Sequence, residues 1–169
     1  MATSKRRSIS SSRKVEPLDS RAARVAALDA LARRDHASAE LRRKLLDKGY
    51  DPAVVDTLIE LLSAERLLDD RRYLENFVAS HAARGQGPMR VRAELRKIGL
   101  QGGEAEAALA AYPEWIAQLR KAHQKKFGTR LPTLYADRQR QARFLGYRGF
   151  TGAQIRMALG FDTDLDLDA

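Results

Sequence analysis

Apolar residues recur every three or four positions through most of the chain, the spacing of one face of an α-helix. Leu41, Leu45 and Leu46 form one such stripe, and Val54, Val55, Leu58, Ile59, Leu61 and Leu62 form another. Alanine and leucine abound, β-branched residues are scarce, and no segment alternates at period two, so strands are not expected. The predicted fold class is all-α.

The pattern also repeats over a longer distance. Gly49, Gly99 and Gly149 are separated by 50 residues each time. The same offset aligns Leu45, Leu95 and Leu145, then Tyr50, Leu100 and Phe150, then Val55, Ala105 and Ile155, then Ile59, Leu109 and Leu159. Five columns at one offset identify a repeated unit. In each, a helix such as Leu41–Lys48 ends at a glycine suited to the left-handed C′ conformation, and the apolar residue after it packs back on that helix. Asp51 then caps a new helix with Pro52 in its first turn. Thr151 and Gln154 have the spacing of a capping box. Gln101 is a poorer cap, so the helix after Gly102 and Gly103 should start loosely. Pro88 and Pro132 are expected to open the middle helices of the second and third units. A further helix precedes each pair, at about Ser20–Arg34, Asp70–Arg84 and Glu114–Phe127. Three tandem three-helix repeats follow, stacked as an elongated, curved array because no unit can bury its apolar face alone. The expected division is a basic tail over 1–18 without fixed structure, repeats over 19–68, 69–112 and 113–161, and an acidic tail over 162–169. That acidic tail is expected to be solvated rather than folded back on the third repeat.

Composition narrows the function. The 169 residues are 44% hydrophobic, enough for a core, but contain no cysteine, which removes disulfides, thiolate metal sites and cysteine nucleophiles together. His36, His81 and His123 lie far apart and match no metal-ligand spacing. No long apolar run suits a membrane span and no apolar stretch follows the basic N-terminus, so a soluble, cytoplasmic protein is expected. Net charge is +9, unevenly spread: +6 over residues 1–34, −4 over 35–70, +3 over 71–112 and +8 over 113–161, with four aspartates and no base after that. Such a basic end is the footprint of a polyanion or an acidic protein surface; the plainer alternative is a solvated basic face.

No catalytic constellation emerges, and neither a metal nor a cofactor is expected. Asp69 and Asp70 are neighbours that point apart on a helix, and Asp70 is best read as the N-cap of the helix carrying Arg71, Arg72 and Tyr73. The stretch Arg84-Gly85-Gln86-Gly87-Pro88 lacks the lysine and hydroxyl residue of a phosphate loop, so it reads as a flexible elbow between helices. Trp115 and Phe144 are assigned to the core or to a joint between units. The basic clusters remain: Arg84 and Arg90 beside the elbow; Arg92, Arg96 and Lys97; Arg120, Lys121, Lys125 and Lys126; Arg138, Arg140, Arg143 and Arg148. On a helical array these can line one surface for phosphates or carboxylates, bound electrostatically and with little sequence preference.

Four stretches, in order, carry a family resemblance. They are Ala30-Leu31-Ala32-Arg33-Arg34 with Glu40-Leu41-Arg42-Arg43-Lys44-Leu45; Leu68-Asp69-Asp70-Arg71-Arg72-Tyr73; Arg84-Gly85-Gln86-Gly87-Pro88-Met89-Arg90-Val91 with Glu94-Leu95; and Arg143-Phe144-Leu145-Gly146-Tyr147-Arg148-Gly149-Phe150-Thr151. Over Arg21 to Leu159 the chain resembles the RecX family of bacterial regulatory proteins, modulators of the recombinase RecA. The resemblance implies tandem three-helix repeats, which agrees with the period found independently. Two positions depart from it. Ala37 stands where a capping serine is expected, with Ser38 one place late, and Leu74 stands where a small residue is usual.

By the same resemblance, this protein would be a non-enzymatic regulator of recombination and DNA repair. It would act as a monomer that binds RecA and lies in the groove of its filament on single-stranded DNA, limiting filament growth, ATP hydrolysis and strand exchange. The contact surface expected from charge clustering comprises Arg84, Arg90, Arg92, Arg96, Lys97, Arg120, Lys121, Lys125, Lys126, Arg138, Arg140, Arg143 and Arg148. Two alternatives stay open: an autonomous DNA-binding protein holding single strands or duplex without RecA, and a helical-repeat adaptor for another acidic protein.

Overall fold

The three glycines spaced by 50 end their helices in the same way. Gly49, Gly99 and Gly149 take φ of +88°, +84° and +89°. Their N–H groups donate to Leu46, Arg96 and Gly146, and the next residues, Tyr50, Leu100 and Phe150, donate back to Leu45, Leu95 and Leu145. This paired closure satisfies carbonyls the helix end leaves open, and it needs a residue comfortable at positive φ.

In this computed structural model the described residues are 17–160. They form α1 (Pro17–Arg33), α2 (Ser38–Asp47), α3 (Pro52–Ala64), α4 (Asp70–Ala83), α5 (Pro88–Lys97), α6 (Gly103–Ala111), α7 (Trp115–Phe127), α8 (Tyr135–Tyr147) and α9 (Gly152–Leu159), with no strand among them. The helices fall into three consecutive triplets. Two expected helix starts bear out: the Asp51 carboxylate accepts from the Ala53 N–H, and Thr151 and Gln154 form a complete capping box. Gly102, with φ of +106° and no side chain to cap α6, leaves that helix start unsupported, as expected. The expected tails over 1–18 and 162–169 lie outside the described residues, apart from Pro17 and Leu18, which already belong to α1.

Three expectations are corrected. Pro132 does not open α8; that helix starts at Tyr135 with Leu134 as its N-cap, so 128–134 is a loop. Asp69, not Asp70, caps α4, its carboxylate accepting from the Arg72 N–H at 2.9 Å. Asp70 is the first residue of α4, and its side chain reaches α2 instead, accepting from the Ser38 N–H at 2.7 Å. Ala37, the N-cap of α2, has no side-chain oxygen to offer, so a carboxylate from the next triplet takes that place. The elbow at 84–88 is the third. Its Gly87 N–H donates to the Arg148 carbonyl at 2.7 Å and the Met89 N–H to the Gly149 carbonyl at 3.0 Å. A Cβ on Gly87 would lie 2.3 Å from the Gly149 backbone, and one on Gly149 would lie 2.5 Å from Arg90. Two glycines here let two backbones touch, and the segment is pinned rather than loose.

The buried residues form two clusters. Ala23, Ala27, Leu41, Leu45, Val55, Leu58 and Leu62, with Leu68, belong to the first triplet alone, so a fourth expectation is corrected: this unit does bury its apolar face by itself. The second cluster runs from Leu74 and Val78 through Leu95, Leu109 and Trp115 to Leu145, Phe150, Ile155 and Leu159, so the second and third triplets share one core. Leu74, unusual by resemblance, is buried there, and Trp115 is a core residue whose Nε1–H donates to the Leu109 carbonyl at 2.9 Å.

Candidate polyanion-binding cleft

Where α4 and α8 end, they meet the flank of α7. Residues on α7 four apart lie on one side of the helix, so Lys121 and Lys125 stack a turn apart with Lys126 beside them. All three are exposed. With Arg84 at the C-cap of α4 and Arg148 at the C-cap of α8 they line a cleft of about 310 Å³, together with Gln118 and Phe144. Among the described residues, no carboxylate lines it.

The five cations are not equivalent. The Arg148 Nη1 donates to the Arg84 carbonyl at 3.1 Å and the Gly85 carbonyl at 3.5 Å, and its guanidinium lies 5.3 Å from the centre of the Phe144 ring. A cation placed on the open carbonyls of a helix C-terminus neutralises the negative end of that helix. Arg148 is therefore first a clamp between triplets, held on an aromatic wall. Behind that wall Phe144 packs edge-on against Phe127 at 5.2 Å. Buried His123 shares a 2.6 Å hydrogen bond between its Nε2 and the Gln141 Oε1, tying α7 to α8. His81, stacked on Phe77 at 4.1 Å, bonds the Gln86 side chain in the turn that carries Arg84. His36 is buried in the first triplet, where its Nδ1 lies 3.0 Å from the Arg34 carbonyl and its Nε2 has no hydrogen-bond partner among the described residues.

The remaining basic residues do not gather there. Arg92 is held by Glu106 through two short bonds, 2.6 and 2.7 Å. That hydrogen-bonded pair raises the guanidinium pKa and holds the Glu106 carboxyl below its usual range. Lys97 bonds Glu94, and Arg140 pairs with Asp137. Arg138 donates to the Pro132 carbonyl at 3.2 Å. Arg120 turns away to α9, its Nε donating to the Ala158 carbonyl at 3.4 Å. Arg90, Arg96 and Arg143 are exposed outside the cleft. The sequence placed Lys121, Lys125 and Lys126 together correctly but could not bring Arg84 to them, because that needs the backbone contact at Gly87 and Gly149. Gln118 and the wall role of Phe144 carried no sequence signal beyond helical spacing. Among the described residues, no group of three His, Asp or Glu side chains could hold a metal ion, and no helix is long and apolar enough to cross a membrane.

Comparison with known proteins decides the lineage. Residues 23–62 match the model of the first three-helix domain of RecX, residues 69–109 the second and residues 113–159 the third. The chain belongs to the RecX family. The regulatory protein RecX of Halorhodospira halophila (strain DSM 244 / SL1) is 44% identical over 140 residues, 82% of this chain and 87% of that one. The RecX of Pseudomonas fluorescens (strain SBW25) is 43% identical over 145 residues, 85% and 94% respectively. The crystal structure of RecX from Lactobacillus salivarius superposes with a TM-score of 0.74 at 20% identity, covering 86% of this chain and 97% of that one, which shows a common fold. A regulatory role of the RecX kind follows from this membership.

Proposed function

We propose that this RecX-family protein is a non-enzymatic cytoplasmic regulator that binds RecA and its filament on single-stranded DNA, acting as a monomer to inhibit filament growth, ATP hydrolysis and strand exchange. The observation that supports a polyanionic contact is the cleft in which Arg84, Lys121, Lys125 and Lys126 meet with no carboxylate among the described residues that line it. Phosphates neutralised by such side chains release counterions, so binding is strong at low salt and indifferent to sequence. Arg90, Arg96 and Arg143, exposed outside the cleft, are further candidate contacts. Arg92, Lys97, Arg138, Arg140, Arg120 and Arg148 contribute charge, but each already bonds a group within the protein.

The decisive experiment measures single-stranded-DNA-dependent ATP hydrolysis by the cognate RecA as this protein is titrated in, with binding to DNA alone alongside. Inhibition well below one protein per DNA site supports filament regulation. The triple change Lys121→Glu, Lys125→Glu, Lys126→Glu should weaken single-strand binding more than ten-fold at low salt. It should also flatten the salt slope by about 0.7 for each lost phosphate contact. An unchanged slope removes the α7 lysines from the contact. Strong DNA binding with no effect on RecA favours the autonomous DNA-binding reading.

A further inference from the structure

The cleft has a second candidate ligand within the chain itself. The segment after Gly160 carries Asp162, Asp164, Asp166 and Asp168 and no basic residue. Aspartates two apart fall on one face of an extended segment, about 7 Å from one to the next. Lys121 and Lys125, four apart on α7, are separated by about 6 Å along the helix axis. The carboxylate row and the lysine row therefore have matching pitch and opposite sign.

Connectivity supports the match. Residues 161–169 follow directly from α9, which packs against α7. The end of α9 is tied to α7 where Arg120 donates to the Ala158 carbonyl. From Arg120 to Lys126 is about 9 Å along the axis and part of a turn around a helix roughly 10 Å across. Nine residues reach about 30 Å when extended. Joined to the same chain, the segment meets the cleft at an effective concentration in the millimolar range, which compensates for the weakness of individual exposed ion pairs.

We propose that the aspartate segment 162–168 occupies the cleft formed by Arg84, Lys121, Lys125 and Lys126 and acts as an internal competitor for the polyanion. This rests on the functional reading above only in naming the competitor's rival. Occupancy of the cleft by the segment is a separate claim.

Two measurements on the full chain test it. Zero-length carbodiimide coupling joins lysine amines to carboxylates in contact, and in the monomer fraction it should link Lys121, Lys125 or Lys126 to the four aspartates in preference to other lysines. Changing all four aspartates to asparagine should tighten binding of a fluorescent oligothymidine about five-fold at low salt, with the gain vanishing at high salt. The gain should also vanish when Lys121, Lys125 and Lys126 are changed to glutamine in the same chain. Couplings spread evenly over all lysines would overturn the proposal, as would couplings confined to a dimer fraction, which would assign the cleft to a neighbouring copy. Unchanged oligothymidine affinity in the four-asparagine variant would remove the competition. Selective coupling in a protein that fails to bind oligothymidine at all would uphold the internal contact while sinking the DNA reading.

Discussion

The joint between the first and second triplets and the joint between the second and third are built from different parts. Between the second and third, backbone touches backbone at Gly87 and Gly149, one core runs across, and Arg148 closes over the carbonyls of Arg84 and Gly85. Between the first and second the contacts are polar side chains. Asp70 takes the Ser38 N–H and Arg72 sits 4.0 Å from Asp35; on the first triplet's own side of the seam Arg34 pairs with Glu40, close to Tyr73 of α4, whose hydroxyl is pushed up in pKa by burial. No apolar cluster crosses that seam. A backbone contact tolerates almost no substitution at its two glycines, whereas a polar clasp is held by charge and responds to solvent. One repeated unit has thus been joined to its neighbours in two ways.

The sharpest test compares glycines in equivalent positions. Gly149→Ala should destabilise by about 3 kcal/mol, because the new Cβ is both left-handed and driven into Arg90. Gly49→Ala and Gly99→Ala, with nothing within 4 Å of the added carbon, should cost only about 1 kcal/mol. Equal losses in denaturant unfolding would show that the close approach does not distinguish the joints. Arg148→Lys comes next. It keeps the charge but loses the guanidinium geometry that reaches two carbonyls, and should cost about 1–2 kcal/mol in the same measurement.

Asp70→Ala should cost about 1 kcal/mol and speed amide exchange at Ser38 and the first turn of α2. The turn at Gly87 should keep its protection, since the clasp and the backbone lock are separate. Asp70→Asn, which retains an acceptor, should fall between. The smallest expected effect is on pH. The Arg34 hydrogen bond holds the Glu40 carboxyl below its usual range. A lowered carboxylate pKa stabilises the fold above the unfolded-state value and is lost as pH falls through the folded one. Acidification from neutrality to about pH 3 should therefore loosen the Arg34–Glu40 tie between the end of α1 and the first turn of α2, and exchange in that turn should rise before exchange at Gly87 does. The reverse order would show that the tie is not carboxylate-dependent.

Much of this was legible from spacing alone. The 50-residue offset located three helix ends and the buried leucines that precede them, because a left-handed glycine followed by an apolar residue is a local device. The lysine row on α7 was legible for the same reason. What escaped was whatever joins one unit to another. Asp70 looked like a local cap, and only the missing oxygen at Ala37 explains why it serves α2. Arg148 and Arg92 counted as free charge by sequence, yet one clamps carbonyls and the other is held by Glu106. The elbow looked loose because two glycines usually mean freedom, and here they permit contact. Pro132 suggested a helix start that a longer loop displaced to Tyr135.

The separate core of the first triplet has a consequence for the order in which the protein can be made. Every buried partner of that core lies between Ala23 and Leu68, so it is complete once those residues have left the ribosome. The second triplet has no such independence. α4 packs on α5 and α6 of its own triplet, but the core that holds Leu74 and Val78 is complete only with Ile155 and Leu159, about 90 residues later than Leu68. At about 5–20 residues per second that is a wait of roughly 5–20 s. For that interval a folded leading unit is followed by a triplet whose core lacks the side of it that α7, α8 and α9 supply.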